Sequence, residues 1–186
     1  MTRLDHNRSK AQIAERIGVQ VQSIHNVIIW GNHSSTQYPD LRFAYVSDYP
    51  QKGMTTPVNG LIADTEWVQK TFIPTVQQRG AKVIEARQKS SAASAATAAC
   101  DHVRDWLLGT TPGEIVSMGV FSDGSKYGVR AGLMYSFPVT CSGGEYHVIE
   151  NLTPDEFSLK MMRASEEELA AERQEAFELL GIPLDN

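Results

Sequence analysis

The chain has 186 residues, 41% of them hydrophobic and 21% charged, with a formal net charge of −5 at pH 7, which describes one globular domain with a core of its own rather than a disordered segment. The acidic balance and the lack of any Lys/Arg cluster argue against nucleic acid as a partner, and no run approaches the roughly 20 apolar residues of a membrane helix, so no membrane partner is expected either. Cys100 and Cys141 are too few for a disulfide framework and read as free thiols in a reducing compartment.

In chain order, Thr2 to Asp5 reads as a capping box with Thr2 at N-cap and Asp5 at N3. The helix is expected to run to Ile17, end at Gly18, and turn Leu4, Ala11, Ala14 and Ile17 toward the core. Val27 to Trp30 is a short apolar strand running out into Gly31-Asn32-His33-Ser34, and residues 41–46 suggest another strand, followed by a Pro-, Gly- and Thr-rich stretch to residue 60. Residues 61–108 read as mostly helical. Trp67, Phe72, Ile73 and Val76 form one apolar face, Gln77 to Gly80 are an interruption, and Val103, Trp106 and Leu107 anchor the run that begins in the Ser/Ala-rich segment 90–99. That small-residue face predicts close packing by another helix or a ligand.

Residues 109–113 form a turn and 115–121 a strand, with a hairpin-type turn at 122–125. Two further antiparallel strands, 134–141 and 145–149, flank Ser142-Gly143-Gly144. Thr153-Pro154-Asp155-Glu156 predicts a helix start, and Ser165 to Glu168 predicts the start of a last helix whose stripe is Leu169, Ala176, Phe177 and Leu180. Helices, then strands, then helices make an α+β fold of antiparallel strands packed with long helices. The chain has no Gly-x-Gly-x-x-Gly after a strand, no Gly-Lys-Ser/Thr phosphate loop, no Cys-x-x-Cys and no His-Glu-x-x-His.

Three residues carry the chemistry. His33, mounted at a strand end, can take and give a proton near neutral pH once a carboxylate fixes its tautomer. Asp5 suits that role if the first helix packs against the strand end, and Arg8, three residues on and on the same helix face, suits a planar carboxylate. By themselves Asp5 reads equally as a helix cap, Arg8 as a surface side chain and His33 as structural. Their spacing does not separate hydride transfer from proton transfer or binding.

Thr2-Arg3-Leu4-Asp5-His6-Asn7-Arg8 and Ile29-Trp30-Gly31-Asn32-His33-Ser34-Ser35-Thr36-Gln37-Tyr38-Pro39-Asp40 resemble the catalytic segments of the cytosolic-type malate dehydrogenases of the lactate/malate dehydrogenase family. Thr75 to Gly80, Lys89 to Ala96, Cys100 to Asp105, Val116 to Val120 and Tyr135 to Val139 continue the likeness over essentially the whole chain. The resemblance implies that Asp5 orients His33 and that His33 is the proton shuttle and the residue nearest the cofactor. It also implies that Arg8 binds a substrate carboxylate, and that Gly80 and Ser90 line the substrate pocket, with Ser91 beside them.

The implied reaction is reversible oxidation of (S)-malate to oxaloacetate with NAD, in a protein that forms a homodimer in its full-length family form. The resemblance further implies that residues 1–186 are the C-terminal catalytic domain. The N-terminal Rossmann NAD-binding domain is then not encoded, so the chain supplies only the proton-transfer and carboxylate-binding half and has negligible turnover alone. The competing reading is an inactive domain that keeps only a dimerisation surface. A lyase or hydrolase built on Asp5 and His33 leaves Arg8 unexplained.

Overall fold

The computed structural model describes residues 1–183. Helix α1 (Thr2–Ile17) ends at Gly18, whose φ of 83° lets its N–H reach the Ala14 carbonyl. Thr2 is not the cap: it lies inside the helix behind Met1, no side chain caps that end, and the Asp5 carboxylate points inward instead. Ile13, fully buried, carries the core stripe with Leu4 and Ala14, while Ala11 and Ile17 are only partly buried.

Two short strands follow, β1 (Ile24–His25) and β2 (Ile28–Trp30). Strands β3 (Tyr38–Asp40) and β4 (Tyr45–Ser47) follow, and of the strand expected at 41–46 only residues 45–46 are extended, since 41–44 form a turn between the two. Asp40 causes the break, because its Oδ1 accepts the Arg42 N–H at 3.0 Å and bends the chain into a turn closed by the Ala44 N–H on the Leu41 carbonyl at 3.0 Å. Strand β5 (Thr55–Pro57) and helices α2 (Val58–Leu61) and α3 (Thr65–Trp67) lead into a π-helical turn, Val68–Phe72.

Helix α4 (Ile73–Arg87) then runs straight through residues 77–80, where an interruption was expected. One glycine without a following proline is too weak a breaker when Phe72, Ile73 and Val76 are held in the core. Helix α5 (Ala92–Leu108) is followed by β6 (Val116–Phe121), β7 (Met134–Ser142) and β8 (Glu145–Val148). Gly143 and Gly144, both at positive φ, close the expected β7–β8 hairpin. The turn at 122–125 is only the start of a long loop that returns the chain to β7, pinned by Ser122 backbone bonds to Leu133 and Gly132.

The last helix, α6 (Glu156–Leu180), is continuous. Its cap is Asp155, which accepts the Ser158 N–H at 2.8 Å, two residues beyond the expected Thr153. Ser165 to Glu168 lie in mid-helix and start nothing. The expected stripe holds only in part: Leu169 packs partly buried against the core and Phe177 is half-buried, but Ala176 and Leu180 are exposed, and the buried positions are Ser158, Met162, Ser165 and Glu166.

The pairing is antiparallel throughout: β1-β4-β5, β2-β3 and β6-β7-β8, with a bridge from Gly31 to Ser136 joining the end of β2 to β7. Trp30, Tyr135, Phe137, Phe72, Ile13 and Ile28 are fully buried between these sheets and the helices, each contributing roughly 1.5–3 kcal/mol relative to exposure. The fold is thus α+β, as the element order predicts. The anchors expected on α5 are not buried: Val103, Trp106 and Leu107 face outward, only Ala98 is buried, and α5 meets α1 through polar contacts. Cys100 is exposed, Cys141 is buried, and both are free thiols.

Candidate active site

Helical spacing divides α1 into two polar faces. Arg3 and Asn7, one turn apart, reach α5: Arg3 pairs with Asp105 at 2.6 Å, and the Asn7 amide donates to Asp101 at 3.2 Å. Asp5 and Arg8 face the end of β2. Between the two faces lies His6, fully buried. Burial, with the positive charges of Arg3 and Lys10, holds its imidazole well below the ordinary value despite a hydrogen bond to the Val27 backbone. Its Nδ1, the acceptor nitrogen of a neutral ring that donates through its other nitrogen, has no partner among the described residues.

His33 sits just past β2. Gly31 has φ 89°, and a Cβ there would lie 2.1 Å from the Ser165 hydroxyl, so this turn admits only glycine. From that turn the His33 Nδ1 comes to 2.5 Å from Oδ2 of Asp5, whose side chain is completely buried. The other carboxylate oxygen lies 3.4 Å from the Arg8 guanidinium. A buried carboxylate is tolerable only when paired, and Asp5 is paired on both oxygens.

The geometry also assigns the tautomer. An ionised Asp5 accepts the proton on Nδ1, leaving Nε2 as the acceptor of the neutral ring. Nε2 has no hydrogen-bond partner among the described residues, and the His33 side chain is 40% exposed.

Arg8 is held from a second side by Ser91, whose hydroxyl accepts from the guanidinium at 3.2 Å. The remaining guanidinium N–H groups are available to an anion. His33, Arg8, Gly80, Ser90 and Ser91 line one open cleft of about 380 Å³. A Cβ on Gly80 would touch the Arg8 guanidinium at 3.7 Å. Of the five residues singled out in the sequence, Arg8, His33, Gly80 and Ser90 line this cleft, and Asp5 is buried behind it against His33 and Arg8. Ser91, expected beside the pocket, contacts Arg8 where Ser90 only lines the cleft. One contributor was missed: a polar set on α6 grips the His33 loop. The small polar and acidic residues at Ser165, Glu168 and Glu172, spaced at helical intervals on one face, were the available signal for that set.

The family of lactate/malate dehydrogenase, alpha/beta C-terminal domain, matches residues 2–180. A Zea mays protein named "Malate dehydrogenase, cytoplasmic" is 57% identical over 97% of this chain and 53% of its own length. The chain spans about half the length of the curated relatives it matches. The crystal structure of malate dehydrogenase from Naegleria fowleri superposes with a TM-score of 0.82 at 47% identity, over 94% of this chain and 51% of that one. The Trichomonas vaginalis lactate dehydrogenase in complex with NADH and oxamate superposes with a TM-score of 0.88 at 33% identity, over 96% of this chain and 53% of that one. With this sequence and this fold, the chain belongs to the lactate/malate dehydrogenase family, in its alpha/beta C-terminal domain.

Proposed function

We propose that this chain provides the proton-transfer and carboxylate-binding part of a malate dehydrogenase, acting in the reversible NAD-dependent oxidation of (S)-malate to oxaloacetate. The observation that carries this reading is the Asp5 carboxylate, buried and shared between the His33 Nδ1 at 2.5 Å and Arg8 at 3.4 Å. In the oxidative direction the free Nε2 of His33 takes the hydroxyl proton of the substrate, and Asp5 stabilises the imidazolium that forms. In the reverse direction that imidazolium hydrogen-bonds the carbonyl oxygen and returns the proton. Arg8, braced by Asp5 and Ser91, offers its remaining N–H groups as a two-pronged clamp for the carboxylate next to the reacting carbon. Gly80 keeps the wall beside the guanidinium low, and Ser90 and Ser91 supply hydroxyls to the same cleft.

The residues present fit NAD along one wall only. The half-exposed His33 ring, with its free nitrogen directed away from buried Asp5, suits a group that reacts beside the substrate. NAD, when bound, accepts the hydride from the substrate carbon. The names of the relatives support a cytoplasmic location. Malate-dependent NAD reduction, followed in a polypeptide that joins these residues to an NAD-binding domain, tests the reading, because residues 1–186 alone are expected to have negligible turnover. Turnover that disappears in His33→Gln is expected, and absence of any malate-dependent reduction in the parent protein overturns it.

A second reading, a domain whose remaining role is homodimerisation, is favoured by the outward-facing Val103, Trp106, Leu107 and Leu108 of α5. Sedimentation combined with calorimetric titration of NADH separates the two readings. Dimerisation without cofactor binding or turnover favours the second.

A further inference from the structure

His33 depends on α6, an element that does not touch its ring. Its side chain is only partly covered, so packing does not fix it, and the loop that carries it spans the gap between β2 and β3. The backbone is held instead. The His33 N–H donates to the Asn32 side-chain oxygen at 2.8 Å, and the Asn32 N–H donates to the Ser165 hydroxyl at 2.7 Å. The Asn32 amide nitrogen donates to Glu168 and to Glu172, each at 3.0 Å. On the other side of His33, the Thr36 hydroxyl lies 2.5 Å from the same Glu168 oxygen, and the Ser34 hydroxyl also donates to it.

Proton counting orders this cluster. Each hydroxyl has one proton. The Ser34 hydroxyl gives its proton to Glu168, the Thr36 hydroxyl is placed to give its own to Glu168 at 2.5 Å or to Ser165 at 3.0 Å, with the shorter contact to the carboxylate the stronger, and the Ser165 oxygen accepts the Asn32 N–H. One oxygen of Glu168 thus accepts from residues 32, 34 and 36, which bracket His33 on both sides. Partial burial works against the Glu168 charge, but the hydrogen bonds from Ser34, Thr36 and Asn32 outweigh it and hold the carboxyl below its ordinary range. The close approach at Gly31 is what lets α6 come near enough to make these bonds.

We propose that Glu168 is a positioning residue for proton transfer: from α6 it fixes the backbone on both sides of His33 so that Nδ1 meets Asp5 and Nε2 faces the cleft. This rests on the reading of His33 as the proton shuttle, but its geometric content does not. Glu168 touches neither substrate nor ring. It acts through Asn32, Ser34 and Thr36, and a shift of the loop by a fraction of an ångström lengthens the Asp5–His33 bond, which joins two separate elements.

The test reads that bond directly. The proton between Asp5 and His33 Nδ1 gives a low-field NMR resonance, assigned by its loss in Asp5→Asn. In Glu168→Gln this resonance is expected to vanish or broaden at temperatures well below unfolding. The value of kcat is expected to fall on the order of 10- to 100-fold, as misplacement of a reacting group does, with KM changed by less than about threefold. Glu167→Gln, on the exposed side of α6, is the control.

An unchanged resonance with only a lower melting temperature in Glu168→Gln means a merely structural role and overturns the proposal, as does unchanged kcat. If Glu168→Gln does not fold, Thr36→Val and Ser34→Ala, which each remove one donor, carry the same readout. Graded weakening of the resonance supports the proposal, and none overturns it. Loss of the resonance in a protein whose parent form has no malate turnover leaves the positioning of His33 standing while the functional reading falls.

Discussion

The Asp5 carboxylate and the His33 imidazole, 28 positions apart, meet at 2.5 Å with the carboxylate fully buried and the imidazole partly open to the cleft. One end of the pair is therefore shielded from water and the other is reachable by a substrate. That asymmetry sets both the tautomer and the direction in which the proton leaves.

Asp5→Asn keeps the size of the side chain but offers an amide where Nδ1 needs an acceptor. The ring can then turn to the other tautomer, leaving the cleft-facing nitrogen protonated. The kcat for malate oxidation is expected to fall roughly 10²- to 10⁴-fold, with a melting temperature close to the parent. Steady-state kinetics with a parallel thermal melt measures this, and a change below threefold contradicts the assigned role.

Arg8→Lys retains the charge but loses the planar fork and the simultaneous reach to Asp5 and Ser91. A charge-assisted hydrogen bond is worth about 1.5–3 kcal/mol, so the KM for malate or oxaloacetate should rise about 10- to 100-fold. Ser91→Ala should show a smaller rise, because it loosens the clamp without removing it. Substrate saturation curves for the two variants give the ordering.

Gly31→Ala places a methyl group 2.1 Å from the Ser165 hydroxyl, at a φ of 89° that L-residues rarely adopt. Strain and overpacking together predict a loss of stability on the order of 2–4 kcal/mol. Denaturant titration reads it. A paired Gly31→Ala, Ser165→Gly variant should recover the part due to the clash and not the part due to backbone strain.

His6 gives the pH dependence. The folded chain keeps it neutral, while an unfolded His6 takes a proton near the ordinary value of 6.5. Its contribution to stability is therefore fully present above pH 6.5 and declines as pH falls below it, because the unfolded state then binds a proton that the folded state refuses. Denaturation midpoints at pH 7.5 and 5.5 should converge in His6→Leu relative to the parent. An equal pH slope in both chains would show that His6 is not the linked group.

Much of the site was legible because its signals are local. A helix carrying Asp5 and Arg8 three residues apart ends at Gly18, and the apolar strand ends at a glycine before Asn-His-Ser. Side-chain direction in these elements follows from short-range periodicity. The errors fell where a non-local partner overrode a local signal. Thr2 and Asp5 have the pattern of a capping box, but the carboxylate gains more from an imidazole and a guanidinium than from free N–H groups at a helix end. Ser165 to Glu168 have the pattern of a helix start, yet the helix continues because the Gly31–Thr36 loop consumes those side chains. The strand expected at 41–46 is the exception, lost to a local contact two residues long in which Asp40 captures the Arg42 backbone.

By itself the sequence determined the α+β class and the antiparallel hairpin at Gly143-Gly144, which rest on periodicity and turn chemistry that neighbours along the chain supply. It also singled out Asp5, Arg8 and His33 as candidates, but their roles came only from the family resemblance. Only the tertiary structure decided that Ser91 braces Arg8, that α5 meets α1 through polar pairs while its apolar side chains face outward, and that α6 holds the His33 loop. Those arrangements join residues 83 and 132 positions apart. Contacts at that separation depend on how three helices pack around two strands, which no local pattern encodes.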